Sequence, residues 1–243
     1  MKEQVIIGSR FCGPPDSGNG GYTCGVVANF IDGAAEVTLR RPPPLDRSLN
    51  VEKVDDENVV LYDENGTIAE AIPTKIEIEI PKPPSFSEAE KSATKIEIIE
   101  NHPFPTCFVC GPKREEYDGL RIFPSPVKGA SYVAAPWIPD PSLSDDTGKV
   151  RDEIIWATLD CPGGWATVQE KVRFCVLGRL AATITNRVKP GDKCVVIGWK
   201  ISEEGRKIIV GTALFSHAGQ LCAKAKATWI ELKPASNFFA EKR

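Results

Sequence analysis

The chain has 243 residues and a net charge of −3 at neutral pH, from 30 basic and 33 acidic side chains. That length admits one large domain or two ordinary ones with a substantial core. Lys and Arg are scattered, with no basic stripe interleaved with aromatics, so no nucleic acid and no anionic membrane is expected as a partner. The opening "MKEQVIIGSRFCG" has too short an apolar stretch for a signal peptide, and nothing approaches the roughly 18 apolar residues of a membrane span. The expected location is cytoplasmic, where cysteines outside a tight pair read as reduced, buried hydrophobes.

In chain order, Ser17 or Asn19 is placed to cap a helix from about Gly20 to Phe30, with Val26, Val27, Phe30 and Ile31 on one face. In "AAEVTLRRPPPLD" the alternation of Ala35, Val37 and Leu39 predicts a strand that the prolines end. Further strands are expected through "IPTKIEIEI", with Asp55-Asp56 and Asn65-Gly66 as hairpin turns. Pro81 to about Lys91, rich in Pro, Ser and charge, reads as a linker. The segment from Ala93 to Phe123 reads as a connection ending in a strand, and "ASYVAAPWI" as another strand.

A second helix is predicted from Arg151 or Asp152, with Pro162-Gly163-Gly164 closing or kinking it. Four strands follow, turning at Pro190-Gly191, Glu204-Gly205 and Ala218-Gly219. In the last, Ala223, Ala225, Ala227 and Trp229 alternate with polar residues, as in a half-exposed strand. The two halves share one element order, and "AAEVTLRRPPPLDRSLNVEKV" lies on "LAATITNRVKPGDKCVVIGWK" without gaps. A repeat this long predicts a duplicated α+β domain, each helix packed on a curved antiparallel sheet.

Three stretches bear on chemistry. In "GPPDSGNGGYTCG" there is no Gly-Lys-Ser/Thr, no G-x-G-x-x-G and no parallel βαβ context, which argues against a nucleotide loop. A substrate-facing helix start and a plain turn remain. Asp160 lies in an apolar helix, where a carboxylate is costly unless paired or exposed. It faces a ligand, or has a capping or solvent-facing role before Pro162. Cys107-x-x-Cys110 with nearby His102 raises zinc and redox readings. Without a second pair at ligand spacing or a thioredoxin-like unit it reads first as a structural turn, and no metal ligand is assigned. Two histidines and no G-x-S-x-G leave little material for a serine hydrolase.

The pattern resembles the hotdog fold, in a double form where two copies in one chain imitate a dimer. "CFVCGPKREEYDGLRIF" is similar to the entry segment of PaaI-like thioesterases, "IIWATLDCPGGWA" to the central helix of acyl-CoA thioesterases, and "SGNGGYTCGVVANFID" to their Gly-Gly helix start, with Asn19 where His is common. The resemblance implies a first, truncated copy over 1–85, a connection over 86–119 and a second copy over 120–243. It implies hydrolysis of an acyl-CoA thioester, with CoA entering as part of the substrate and no cofactor. The catalytic residues would be Asp160 and Asn19. Gly20, Gly21, Tyr22 and Glu153 would bind substrate, the glycine N–H groups holding the oxyanion. Setting Asn19 against Asp152 puts Val27 opposite Asp160, so one composite site is expected to be intact and its mirror degenerate. The hydratase Asp-x-x-x-x-His pair is missing. Arg40, Arg41 and Lys189 are candidates for CoA phosphates, although strand-end cations are usually only solvated. A non-catalytic module binding an acyl or aromatic ligand, or a protein partner, is the second reading. Exposed sheet edges are compatible with a homodimer of double hotdogs.

Overall fold

The computed structural model describes residues 2–55, 57–93, 102–168 and 173–232. One antiparallel sheet of eleven strands runs through the described residues. The first five strands are β1 (Lys2–Ile6), β2 (Ala35–Leu39), β3 (Ser48–Lys53), β4 (Val59–Asp63) and β5 (Gly66–Pro73). The others are β6 (Ser125–Pro126), β7 (Tyr132–Trp137), β8 (Cys175–Ile184), β9 (Cys194–Glu204), β10 (Lys207–Phe215) and β11 (Leu221–Glu231). Helix α1 (Gly20–Ala28) lies between β1 and β2. After α2 (Phe86–Ser92), helices α3 (Asp152–Thr158) and α4 (Cys161–Thr167) lie between β7 and β8.

The strand order β1-β3-β4-β5-β2-β8-β11-β10-β9-β7-β6 contains its own symmetry. Strands 1-3-4-5-2 map onto 7-9-10-11-8, and the copies join where β2 pairs β8, Ala35 opposite Ala182 through Thr38 opposite Arg179. This is the duplicated α+β layout expected from the repeat. The strands of the first copy end at Pro73 and those of the second begin at Tyr132, so the boundaries expected at 85 and 120 both fall in the connection.

Local signals account for most elements. Asn19 caps α1, its Oδ1 accepting the Tyr22 N–H at 2.9 Å. In β11, Ala223, Ala225, Ala227 and Trp229 are buried, and Lys226 between them is exposed. Asn65-Gly66 turns β4 into β5 with Gly66 at φ +104°, a conformation only glycine adopts cheaply. Gly66→Ala is expected to cost about 1–2 kcal/mol, read as a lower urea midpoint at unchanged slope.

Three expectations need correction, and the kink expected at Pro162 is found two residues before it. The segment read as a linker holds α2, started by a capping box in which Ser85 Oγ accepts the Glu88 N–H and Glu88 accepts the Ser85 N–H. Its Ala89 is fully buried in a satellite cluster with Trp199 and Phe215. The alternating stretch after Pro73 forms no strand among the described residues; Ile78 and Ile80 instead pack on that cluster. Leu120 to Phe123 is not a strand either. Leu120 and Ile122 donate to the Phe108 and Val109 carbonyls, but Arg121 at φ +51° breaks the extended course. The second helix breaks at Leu159-Asp160, before Pro162, and resumes as α4. Pro162 lacks an N–H and its ring crowds the preceding turn. Asp56 of the expected turn and residues 94–101 lie outside the described residues.

The main core lies between sheet and helices, with Phe108, Ile154, Ile155, Leu159 and Leu180 fully buried. No helix among the described residues is long and apolar enough to cross a membrane.

Candidate active site

The helix break places Asp160 where a regular helix would not. Asp160 has φ −82° and ψ −77° between α3 and α4, and is 2% exposed. One carboxylate oxygen, Oδ2, accepts the Asn19 side-chain N–H at 2.9 Å and the Gly21 backbone N–H at 2.9 Å. Its other oxygen, Oδ1, is buried with no hydrogen-bond partner among the described residues. Two residues of one helix start therefore hold a carboxylate 139 and 141 positions away in sequence.

Glycine at position 21 is required by this approach. A Cβ there would stand 2.5 Å from Asp160 Cβ and 2.9 Å from the Trp156 carbonyl. One turn on, a Cβ at Gly25 would stand 2.5 Å from Glu153 Cα, so α1 and α3 pack backbone to backbone. Burial pushes the Asp160 carboxyl up to about 7, against the lowering pull of the Gly21 N–H and Asn19; the neighbouring Cys107 adds to the rise.

Asn19 has three tasks: it caps α1 through Oδ1, donates to Asp160 through Nδ2, and reaches Cys107 Sγ at 3.8 Å through the same nitrogen. Asn19→Ala removes the cap and one of the two donors to a buried acid. The expected loss is about 2 kcal/mol, readable by thermal melting.

These groups border a cavity of about 780 Å³. Asn19, Gly20 and Asp160 line it, with a largely apolar wall that includes Leu39, Trp165, Leu177 and Trp229. The Gly20 N–H has no acceptor among the described residues, so it is the helix-start donor left over once Gly21 has been taken by Asp160. The two glycines therefore differ: the Gly21 N–H is taken by Asp160, whereas Gly20 lines the cavity. Among the lining residues, Arg40 pairs with Glu70, Arg41 with Asp63, and Arg173 with Glu203 and Glu231.

Tyr22 and Glu153, both expected to face substrate, do not line this cavity. Two residues past Gly20 is about 200° around a helix, which turns Tyr22 inward. It stacks on Phe11 with centroids 4.0 Å apart, and burial raises its hydroxyl to about 12. Glu153 lies at the other end of the helix pair, accepting from Asn29 at 3.3 Å.

The connection between the copies also reaches the cavity. Cys107 and Cys110 meet Cys161, the first residue of α4, and the three sulfurs lie within 4.8 Å of one another. Hydrogen bonds from the Cys110 and Cys161 thiols hold Cys107 well below the ordinary thiol value, while those two are pushed up in turn. The sequence offered no local signal for the third member, 54 residues beyond Cys107.

No family model matches the sequence, and no curated protein matches it. Solved structures do. A thioesterase candidate from Novosphingobium aromaticivorans superposes with a TM-score of 0.60 at 11% identity, covering 96% of each chain. A tesB protein of Mycobacterium avium subspecies paratuberculosis gives 0.55 at 12% identity, over 89% of this chain and 88% of the other. A conserved protein of unknown function with hot dog fold from Alicyclobacillus acidocaldarius gives 0.52 at 8% identity, over 96% and 94%. The chain is a double hotdog.

Its two halves are not equivalent. The N-caps are Asn19 and Arg151, so the register between the helices is one residue from that expected, and Ala28 rather than Val27 corresponds to Asp160. A second cavity of about 510 Å³ lies where α1 ends and α3 begins, lined by Ala28, Asn29, Arg151 and Glu153. Arg187 there pairs with Asp145 and with Asp152. Ala28 thus stands where the first cavity has Asp160, and the second cavity is lined by charged side chains, Asp32, Asp145, Asp152 and Glu153 with Arg151 and Arg187.

Proposed function

We propose that this double hotdog hydrolyses a thioester whose acyl group enters the apolar cavity, with coenzyme A as the carrier. One observation carries the reading: Asp160 is clamped through Oδ2 by Asn19 and Gly21 while Oδ1 has no hydrogen-bond partner among the described residues, and Gly20, whose N–H is left over at the helix start, lines the same cavity. The thioester carbonyl takes the Gly20 N–H, whose hydrogen bond strengthens as the oxygen gains charge. Asp160 Oδ1 accepts a proton from the attacking water, and the clamp on Oδ2 fixes the direction of that transfer. The proton passes to the departing thiolate, leaving carboxylic acid and free thiol. The resemblance of the helix start and central helix to acyl-CoA thioesterases supports the same chemistry.

The experiment is thiol release by the purified chain over a panel of acyl-CoAs of increasing length and of aromatic acids. Turnover is expected to rise with acyl size until the cavity is filled and then to fall. Absence of thiol release across a panel whose members bind would remove the reading.

A second reading, binding without turnover, is favoured by the cations that line the cavity. Arg40, Arg41 and Arg173 are all engaged in ion pairs, so CoA phosphates would have to displace carboxylates there. A free carboxylic acid that raises the melting temperature as much as its CoA thioester would favour this reading.

A further inference from the structure

Cys107, Cys110 and Cys161 take no part in the hydrolysis proposed above. They come from two separate parts of the chain, and all three are buried and line the cavity. The Cys107 and Cys161 sulfurs are 3.7 Å apart. Three sulfurs at the ~2.3 Å of a zinc–thiolate bond, at tetrahedral angles, lie about 3.8 Å from one another.

The turn that carries the first two sulfurs is built to present them. The Asn19 side-chain N–H points at Cys107 Sγ at 3.8 Å. The following residue must be glycine, because a Cβ at Gly111 would stand 2.5 Å from both the nitrogen and the oxygen of Cys107. His102 serves Cys110. Its Nδ1 accepts the Phe104 N–H at 3.0 Å, so the ring proton lies on Nε2, which points at Cys110 Sγ at 3.2 Å. A thiol is a weak acceptor and a thiolate a strong one, so this ring of donors matches ligand sulfurs and their outer shell.

We propose that Cys107, Cys110 and Cys161 bind one zinc ion, with His102 as an outer hydrogen-bond donor to Cys110. Soft thiolates in a tetrahedral frame select zinc among the common divalent ions. The fourth position faces the cavity. Three thiolates leave the centre with a net charge of −1, which makes it a poor Lewis acid. Its role is to fasten the connection at Cys107–Cys110 to the start of α4, and so to hold the chain immediately after Asp160.

The test is the metal content of the full chain, expressed in zinc-containing medium and purified without chelator, followed by replacement with Co²⁺. The expected result is one zinc per chain and, with cobalt, intense sulfur-to-metal charge-transfer bands. Cys161→Ser should lose both, whereas Cys222→Ser, in β11, should keep both. His102→Ala should keep the stoichiometry but lose about 10–100-fold in affinity against a competing chelator. Circular dichroism checks that Cys161→Ser is folded; where it is not, the cobalt spectrum of the unmodified chain decides alone. Reduced protein with only trace zinc and no cobalt bands, a disulfide within the trio, or full zinc content in folded Cys161→Ser would each overturn the proposal.

Discussion

Asp160→Asn is expected to leave the fold and acyl-thioester binding intact while lowering kcat by about 10²–10⁴-fold, the range for loss of a positioned general base. The carboxamide has the size of the carboxylate, so its oxygen can still accept from Asn19 and Gly21. What it cannot do is take a proton from water. Stopped-flow thiol release at saturating substrate measures the loss. Asp160→Glu is expected to recover little, since the longer side chain cannot keep both clamping bonds and occupy the same place.

Gly21→Ala is the second large effect, and it separates positioning from chemistry. The added methyl meets Asp160 Cβ at 2.5 Å and the Trp156 carbonyl at 2.9 Å. Neither is the far end of a flexible side chain, so α1 and α3 must move apart. Overpacking at a well-packed contact costs about 1–3 kcal/mol, and this site belongs at the upper end. For a chain of this size that is a drop of about 2–4 °C in melting temperature per kcal/mol. Activity should fall as well, because the shift moves the carboxylate. Gly20→Ala supplies the contrast: its methyl meets Leu177 Cδ2 at 2.9 Å, a side-chain end that can turn aside, and Leu177 Cβ only at 3.1 Å, where a shift of a few tenths of an ångström suffices. A smaller loss of stability is expected there, and equal losses in the two variants would contradict the close-approach argument.

Much of this could be read from the chain before folding. Asn19 followed by two glycines is a helix start with bare N–H groups, and Asp160 is an acid beyond the first turn of an otherwise apolar helix. Sequence showed the partners but not their contact. That the Gly21 N–H goes to Asp160, leaving Gly20 as the open donor, depends on how closely two helices pack. Tyr22 was misplaced because its neighbours in sequence face the cavity, although a helix turns it inward to Phe11. Glu153, seven residues before Asp160, lies at the opposite end of the helix pair, beside Asn29. The capping box Ser85-x-x-Glu88 was present in the sequence and was obscured by the prolines around it. Cys161 carried no local signal; only the path of the connection brings Cys107 and Cys110 to it.

The central claim is that an acid held by a glycine helix start hydrolyses a thioester in the cavity. Its most direct test is a single-turnover experiment with excess enzyme and one well-bound acyl-CoA, recording binding and thiol release together for the unmodified chain and Asp160→Asn. The account predicts equal binding by both and thiol release by the unmodified chain alone. Equal release by both chains would contradict it.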